Sequence, residues 1–262
     1  MIKEIIYKTL LNCDSNYSIF IENLSTGELF SNNTDKQVPS ASIIKLFIMG
    51  ATFQGLQEGL FTPHQRINIQ DKDKVSYSII SLLEADHSYS IQDLITLMII
   101  QSDNTATNLL ISLLGMEYIN SFIKKQGMQH TILARKMMDL KAREKGYENY
   151  TTIEDVSKYL NLLYEGKVVN PLFSQNMLKI MSNQLDSSMI KREIPEAVHI
   201  AHKTGDLPLP YIKHDVGIVY TPAGNYIFCM FTWNGKDDIC GRKLIGTVSK
   251  YVYDYFLTNI KR

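Results

Sequence analysis

Ser42-Ile43-Ile44-Lys45, Ser102-Asp103-Asn104 and Lys203-Thr204-Gly205 follow one another along the chain. Together they hold the side chains needed to turn a serine into a nucleophile. A serine hydroxyl is weakly nucleophilic at neutral pH and needs a base beside it. Residues three apart share a helix face, so Lys45 can bring its amine to the Ser42 hydroxyl. The amine acts as a base only if burial or a nearby cation lowers its pKa, and Lys203 is a candidate for that cation. Ser121-Phe122-Ile123-Lys124 and Ser188-Met189-Ile190-Lys191 repeat the first spacing. Neither is followed by the other two strings in order, and that order distinguishes Ser42.

Each string implies an element that must position it. Pro39 and Ser40 read as a helix entry, and the apolar run Ile43, Ile44, Leu46, Phe47, Ile48 and Met49 predicts a largely buried helix. Ser42 in its first turn would meet the positive dipole end, where its own N–H can form half of an oxyanion hole. Ser102-Asp103-Asn104 reads as a polar break between two helices. There the Ser102 hydroxyl can relay a proton to a leaving nitrogen, the Asn104 amide can bond Lys45 and a substrate amide, and Asp103 braces the loop. Lys203-Thr204-Gly205 ends the alternating stretch Val198-His199-Ile200-Ala201-His202, which reads as a strand. Gly205 would let substrate lie close to the strand edge, Thr204 would hydrogen-bond a substrate carboxylate, and Lys203 would supply positive potential. The N–H of Asp206 would complete the oxyanion hole.

These residues resemble the penicillin-recognising serine enzymes. The spacing and the longer string Ser102-Asp103-Asn104-Thr105-Ala106-Thr107-Asn108 are most similar to class A β-lactamases, over nearly the whole chain. The resemblance implies a two-domain α/β (α+β) fold with an antiparallel sheet flanked by helices and an all-helical domain. The sheet domain would come from both chain ends, residues 1–39 and 194–262, and the helical domain from residues 40–193, with the site in the cleft between. It also implies that Ser42 attacks a β-lactam carbonyl to give an acyl-enzyme that water then hydrolyses.

The sequence departs from the family pattern in three places. Class A enzymes carry a loop of the form Arg-x-Glu-x-x-Leu-Asn whose Glu positions the deacylating water. The matching stretch here is Arg135 to Lys141, with Met137 in the Glu position and Lys141 in the Asn position. Methionine neither takes a proton nor holds a water strongly, so acylation should outrun hydrolysis, with Lys45 as the acylation base. Asp139 is an alternative base, although a bracing role suits it better. Asp206 follows Lys203-Thr204-Gly205, where the family has a small uncharged residue; it either turns to solvent or activates water. The cation that holds a substrate carboxylate on the next strand is His214 or Lys213, with Arg242 as another candidate, and Tyr77 falls where the family often has an aromatic gatepost.

Composition excludes other classes. In 262 residues, Lys plus Arg and Asp plus Glu number 27 each, so no overall field favours nucleic acid or an anionic membrane. A small molecule, a β-lactam or a related amide or ester, is the expected partner of a monomer. Three cysteines make a disulfide framework unexpected, and Cys229 reads as core. The six histidines show no zinc spacing, so neither metal nor organic cofactor is expected. The charged N-terminus lacks the apolar run of a signal peptide, which places the chain in the cytoplasm as given, or outside it if a signal was removed. The rival readings are a β-lactam trap or sensor with a long-lived acyl-enzyme and a D,D-peptidase or esterase-like homologue.

Overall fold

The computed structural model describes residues 2–11, 13–84 and 87–258; Met1, Asn12 and residues 259–262 of the expected sheet segments lie outside them. Helix α1 (Ile2–Leu11) leads into strands β1 (Asn16–Asn23) and β2 (Leu29–Asn32). Helices follow: α2 (Ile44–Gln57), α3 (Ile91–Ile100), α4 (Asn104–Leu114), α5 (Met116–Lys125), the short α6 (Leu140–Glu144), α7 (Ile153–Tyr164) and α8 (Pro171–Met181). The chain then returns through strands β3 (Ile200–Leu207), β4 (Ile212–Val219) and β5 (Tyr226–Trp233) before the long C-terminal helix α9 (Asp238–Thr258). All five strands form one antiparallel sheet in the order β2-β1-β5-β4-β3, so strands from the two chain ends meet at β1 and β5 and leave β3 at an edge. This is the antiparallel sheet with helices that the resemblance implied.

The sheet alternates between two cores, as period-2 side-chain direction requires. Ile19, Ile200, Val219, Phe228 and Met230 pack on α1 and α9, whereas Ala201, Val216, Ile218, Ile227, Cys229 and Phe231 join the core of the helical layer. Helix α2 lies at the centre of that layer. Its buried residues run from Ile44 to Phe53 without a break, and a helix apolar on all sides has no solvent face. Gly50 lets its neighbours close in, since a Cβ there would stand 2.1 Å from Tyr159 Oη and 2.8 Å from the Phe122 ring. No helix of the described residues is long and apolar enough to cross a membrane.

Two elements differ from the sequence reading. The strand expected to stop at Thr204 continues to Leu207, because Gly205, Asp206 and Leu207 pair with His214, Lys213 and Ile212 of β4. The helix expected to begin at Pro39 is preceded by a tighter turn, Ala41–Ile43, and Ala41 takes a left-handed φ of 46°. Ser42 therefore sits in a bent entry that precedes the regular helix.

Candidate active site

A cleft of about 760 Å³ opens between the edge strand and the helical layer. Ser42, Tyr77, Ser102, Asn104 and Asp206 line it, together with Met137, Glu148, Asp238 and Arg242. Gly205 draws the strand against the nucleophile turn, since a Cβ on it would lie 3.1 Å from Ile43 Cγ1 and 3.3 Å from the Ala41 Cβ. The missing side chain thus lets the strand approach the Ser42 turn closely.

Lys45 and Lys203 lie fully buried behind the cleft and meet at one hydroxyl. The Lys45 amine is 2.6 Å from the Ser102 carbonyl, 2.8 Å from Asn104 Oδ1 and 3.1 Å from Ser102 Oγ. Lys203 Nζ donates to the same Ser102 Oγ at 3.0 Å and to the Thr204 carbonyl at 2.8 Å. Burial, and then the charge of Lys203, push the Lys45 amine well below its ordinary value against an opposing pull from Asp103. Burial lowers Lys203 less, to about 8, because Asp215 and Asp186 hold it up. Lys45 Nζ thus donates to the Ser102 carbonyl, Ser102 Oγ and Asn104 Oδ1, and Lys203 Nζ donates to the same Ser102 Oγ, so one hydroxyl bridges the two amines.

The loop that presents Ser102 is tied down locally. Asp103 caps α4 by accepting the Ala106 N–H at 2.9 Å, and it also accepts the Ser78 hydroxyl at 2.8 Å and the Ile80 N–H at 3.1 Å. The Asn104 amide donates to the Ser76 carbonyl at 3.1 Å, and its N–H to the Tyr77 carbonyl at 3.3 Å. Tyr77 itself is 74% exposed at the cleft mouth. Ala41, Tyr77, Ser102 and Met138, all lining the cleft, have left-handed φ of 46°, 56°, 56° and 61°. Each such residue costs roughly 1 kcal/mol or more, which its surroundings must hold in place.

Met137 is buried, 8% exposed, where the family pattern has its Glu. Asp139 instead caps α6, accepting the Ala142 N–H at 3.0 Å. Sequence reasoning missed Glu148. It takes both Nε and Nη2 of Arg135, at 2.9 and 2.7 Å, while Arg143 Nε lies 3.3 Å from its other oxygen. The Glu-Asn pair before Tyr150 looks like an ordinary loop, and only Arg135 hinted that an anion was needed. Asp206 and Asp238 share the cations at the far end of the cleft: Lys213 Nζ reaches Asp206 Oδ2 and Asp238 Oδ1, each at 2.5 Å, and Arg242 Nη2 donates to Asp206 Oδ2. Among the described residues, every carboxylate lining the cleft is therefore held by an Arg or a Lys.

His214 does not serve as the carboxylate-holding cation read from the sequence. Its ring is fully buried, stacked 4.1 Å from Phe231 and set between the Pro39 carbonyl at 3.0 Å and the Lys213 carbonyl at 2.9 Å. Burial pushes it down to about 4, so it is neutral at pH 7. Lys213 is buried among its two carboxylates, whereas Arg242 lines the cleft, as do Arg135 and Arg143. Thr204 runs beside Asp186. Burial alone would raise that carboxyl, but hydrogen bonds from Ser188, the charge of Arg242 and the Thr204 hydroxyl outweigh it and hold it below the ordinary value.

An antiparallel sheet, the Ser42 turn held against its edge and two buried amines joined by one hydroxyl make up the site. The chain belongs to the beta-lactamase enzyme family, whose profile matches residues 1–256. It is 24% identical to Beta-lactamase CARB-3 of Pseudomonas aeruginosa over 182 residues, 68% of this chain but only 63% of that protein's length. With Beta-lactamase SME-1 of Serratia marcescens it shares 24% over 245 residues, 90% of this chain and 83% of the relative. The beta-lactamase from Sphaerobacter thermophilus superposes with a TM-score of 0.89 at 28% identity, covering 97% of this chain and 96% of that one. PBP-A superposes with a TM-score of 0.88 at 26% identity over 98% and 96%. A point mutant of PBP-A, solved as an acyl-enzyme complex with penicillin-G, gives 0.87 over the same shares.

Proposed function

We propose that this protein is a serine hydrolase acylated by β-lactams or related small amides and esters, with hydrolysis of the acyl-enzyme as its slow step. The observation that carries the reading is the placement of Ser102 Oγ 3.1 Å from the Lys45 amine and 3.0 Å from Lys203. Neutral Lys45 takes the Ser42 proton as Oγ bonds to the lactam carbonyl carbon. The N–H groups of Ser42 and Asp206 receive the developing oxyanion. When the C–N bond breaks, the proton passes through Ser102 to the leaving nitrogen, and Lys203 resupplies positive potential. Asn104 and Thr204 align the substrate amide and its far end, and Tyr77 guards the mouth. Family membership and the likeness to PBP-A, seen in mutant form as a penicillin acyl-enzyme, both support acylation.

Among the described residues that line the cleft, no carboxylate is free to serve as the deacylation base. Met137 occupies the Glu position, Asp139 is a helix cap, and Glu148, Asp206 and Asp238 are engaged by cations. That pattern supports a trap or sensor as the second reading. Purified protein mixed with a chromogenic cephalosporin, followed by absorbance and intact mass with Ser42→Ala as control, tests both. One fast equivalent of colour with a persistent adduct supports slow hydrolysis. Sustained fast turnover excludes it, and neither colour nor adduct excludes acylation.

A further inference from the structure

Three arginines line the cleft: Arg135 and Arg143 pair with Glu148, and Arg242, at the strand end, is already occupied by carboxylates. Arg242 projects from the start of α9 and spreads its guanidinium over four groups. Its Nη2 donates to Asp206 Oδ2, its Nη1 donates to Ser188 Oγ at 2.6 Å and lies 3.8 Å from Asp186 Oδ2, and its Nε is 3.5 Å from Asp238 Oδ2. Lys213, the other cation of the cluster, is fully buried and divided between Asp206 and Asp238. Arg242 and Lys213 thus face Asp206 and Asp238, and Asp186 acts on both Arg242 and Lys203, so each of these cations already has a carboxylate beside it.

Asp206 occupies the position a ligand anion would need. It follows Lys203-Thr204-Gly205 on the edge strand, lines the same cleft as Ser42 and Arg242, and has a side chain 38% exposed. We propose that Asp206 is an internal competitor for Arg242, so that the cleft discriminates against ligands carrying a carboxylate at this end and favours uncharged ones. A ligand carboxylate must either displace Asp206 from the guanidinium or lie beside it at the cost of like-charge repulsion. An uncharged amide or ester group meets neither obstacle. The proposal deepens the acylation reading and rests on it, since the ligand's reacting carbonyl must lie at Ser42 for its far end to reach Arg242.

Benzylpenicillin and its methyl ester differ in this charge and one methyl group, and their acylation rates can be followed by intact mass. Asp206→Asn keeps the shape and removes the charge; Asp206→Ser is the second variant if the first folds poorly. Expected is a rise of roughly tenfold in the acid-to-ester ratio of second-order rates, a gain that any change common to both ligands leaves untouched. The gain should vanish when Arg242→Ala is added, as a double-mutant cycle requires. Equal changes for acid and ester, or a gain that survives loss of Arg242, would overturn the proposal. If no variant is acylated, the functional reading fails. Equilibrium binding of acid and ester to Ser42→Ala, with and without Asp206→Asn, then decides the charge selectivity alone, and an unchanged acid-to-ester ratio rejects it.

Discussion

Met137 and Asn108 hold each other by two hydrogen bonds: the Met137 N–H donates to Asn108 Oδ1 at 2.8 Å, and the Asn108 amide donates to the Met137 carbonyl at 3.0 Å. The backbone at this position is thus fixed by the last residue of the Ser102 to Asn108 string, whatever side chain it carries. Met137→Glu combined with Lys141→Asn should therefore place a carboxylate where Met137 now lines the cleft. A general base contributes about 10²- to 10⁴-fold, so adduct decay should accelerate within that range while acylation changes little. Burying the new carboxylate costs about 2 kcal/mol, visible as a lower Tm. An adduct lifetime that stays the same in a folded double variant would show that this position does not limit hydrolysis.

The Ser102 hydroxyl between two amines predicts both a mutant phenotype and a pH profile. Ser102→Ala should slow acylation by about 10²- to 10⁴-fold and leave ligand binding to the Ser42→Ala background nearly intact. Lys203 titrates at about 8 and is charged below that pH. Acylation by a carboxylate-bearing substrate should therefore fall as pH rises through about 8, and Lys203→Arg should move the decline upward. Stopped-flow acylation between pH 6 and pH 10 would reveal a flat profile if the Lys203 charge played no part.

Lys203 should also cost stability. Its amine binds a proton in the unfolded chain up to the ordinary value of 10.5 and in the folded protein only to about 8. Between these values the unfolded state holds more protons, so this group makes stability rise with pH across that window. Below about 8 the burden is fully present, with a ceiling of about 3 kcal/mol. Lys203→Met should raise the denaturation midpoint at pH 7 while abolishing acylation. A variant less stable than the parent at pH 7 but not at pH 10 would contradict the sign.

His214 gives an acid limit with the same sign. Its folded value of about 4 lies below the ordinary 6.5, so the unfolded chain binds the extra proton between them. Its contribution is complete above pH 6.5 and lost as pH falls towards 4. His214→Phe should flatten the fall in urea midpoint over that interval, and parallel curves for parent and variant would assign the acid sensitivity to other groups.

Gly205 couples the strand to the nucleophile turn. A Cβ 3.1 Å from Ile43 and 3.3 Å from Ala41 forces a shift of a few tenths of an ångström. Gly205→Ala should cost only about 1 kcal/mol of stability and slow acylation by at least about tenfold, because misplacement of reacting groups is penalised more than packing is. A drop in Tm with an unchanged acylation rate would assign Gly205 to packing alone.

What the sequence made legible was local. Ser42, Lys45, Ser102 and Asn104 stand on a helix entry and a loop whose caps and apolar flanks can be read from adjacent residues. The sheet from both chain ends was implied by the resemblance more than by alternation: β5 reads Tyr-Ile-Phe-Cys-Met-Phe-Thr-Trp, an apolar run buried on both faces. Choosing between Lys213 and His214 required strand register, and a shift of one residue reverses which face each takes. The observed register sets Lys213 against Asp206 and His214 against Gly205, which buries His214 beside Phe231. The ion pairs of Glu148 with Arg135 and of Asp206 with Arg242 join residues far apart in the chain. No local pattern encodes them, so the paired state of the cleft carboxylates emerged only from the fold.

The left-handed turns at Ala41, Tyr77, Ser102 and Met138 carry a further consequence. Four bends that side chains resist are held in place by packing and hydrogen bonds around the cleft, so the backbone of an acyl-enzyme should superpose on this one at these four residues. Discrimination among ligands thus falls to the side chains at the rim and to the charges at the far end, set within a mould whose shape is fixed by folding.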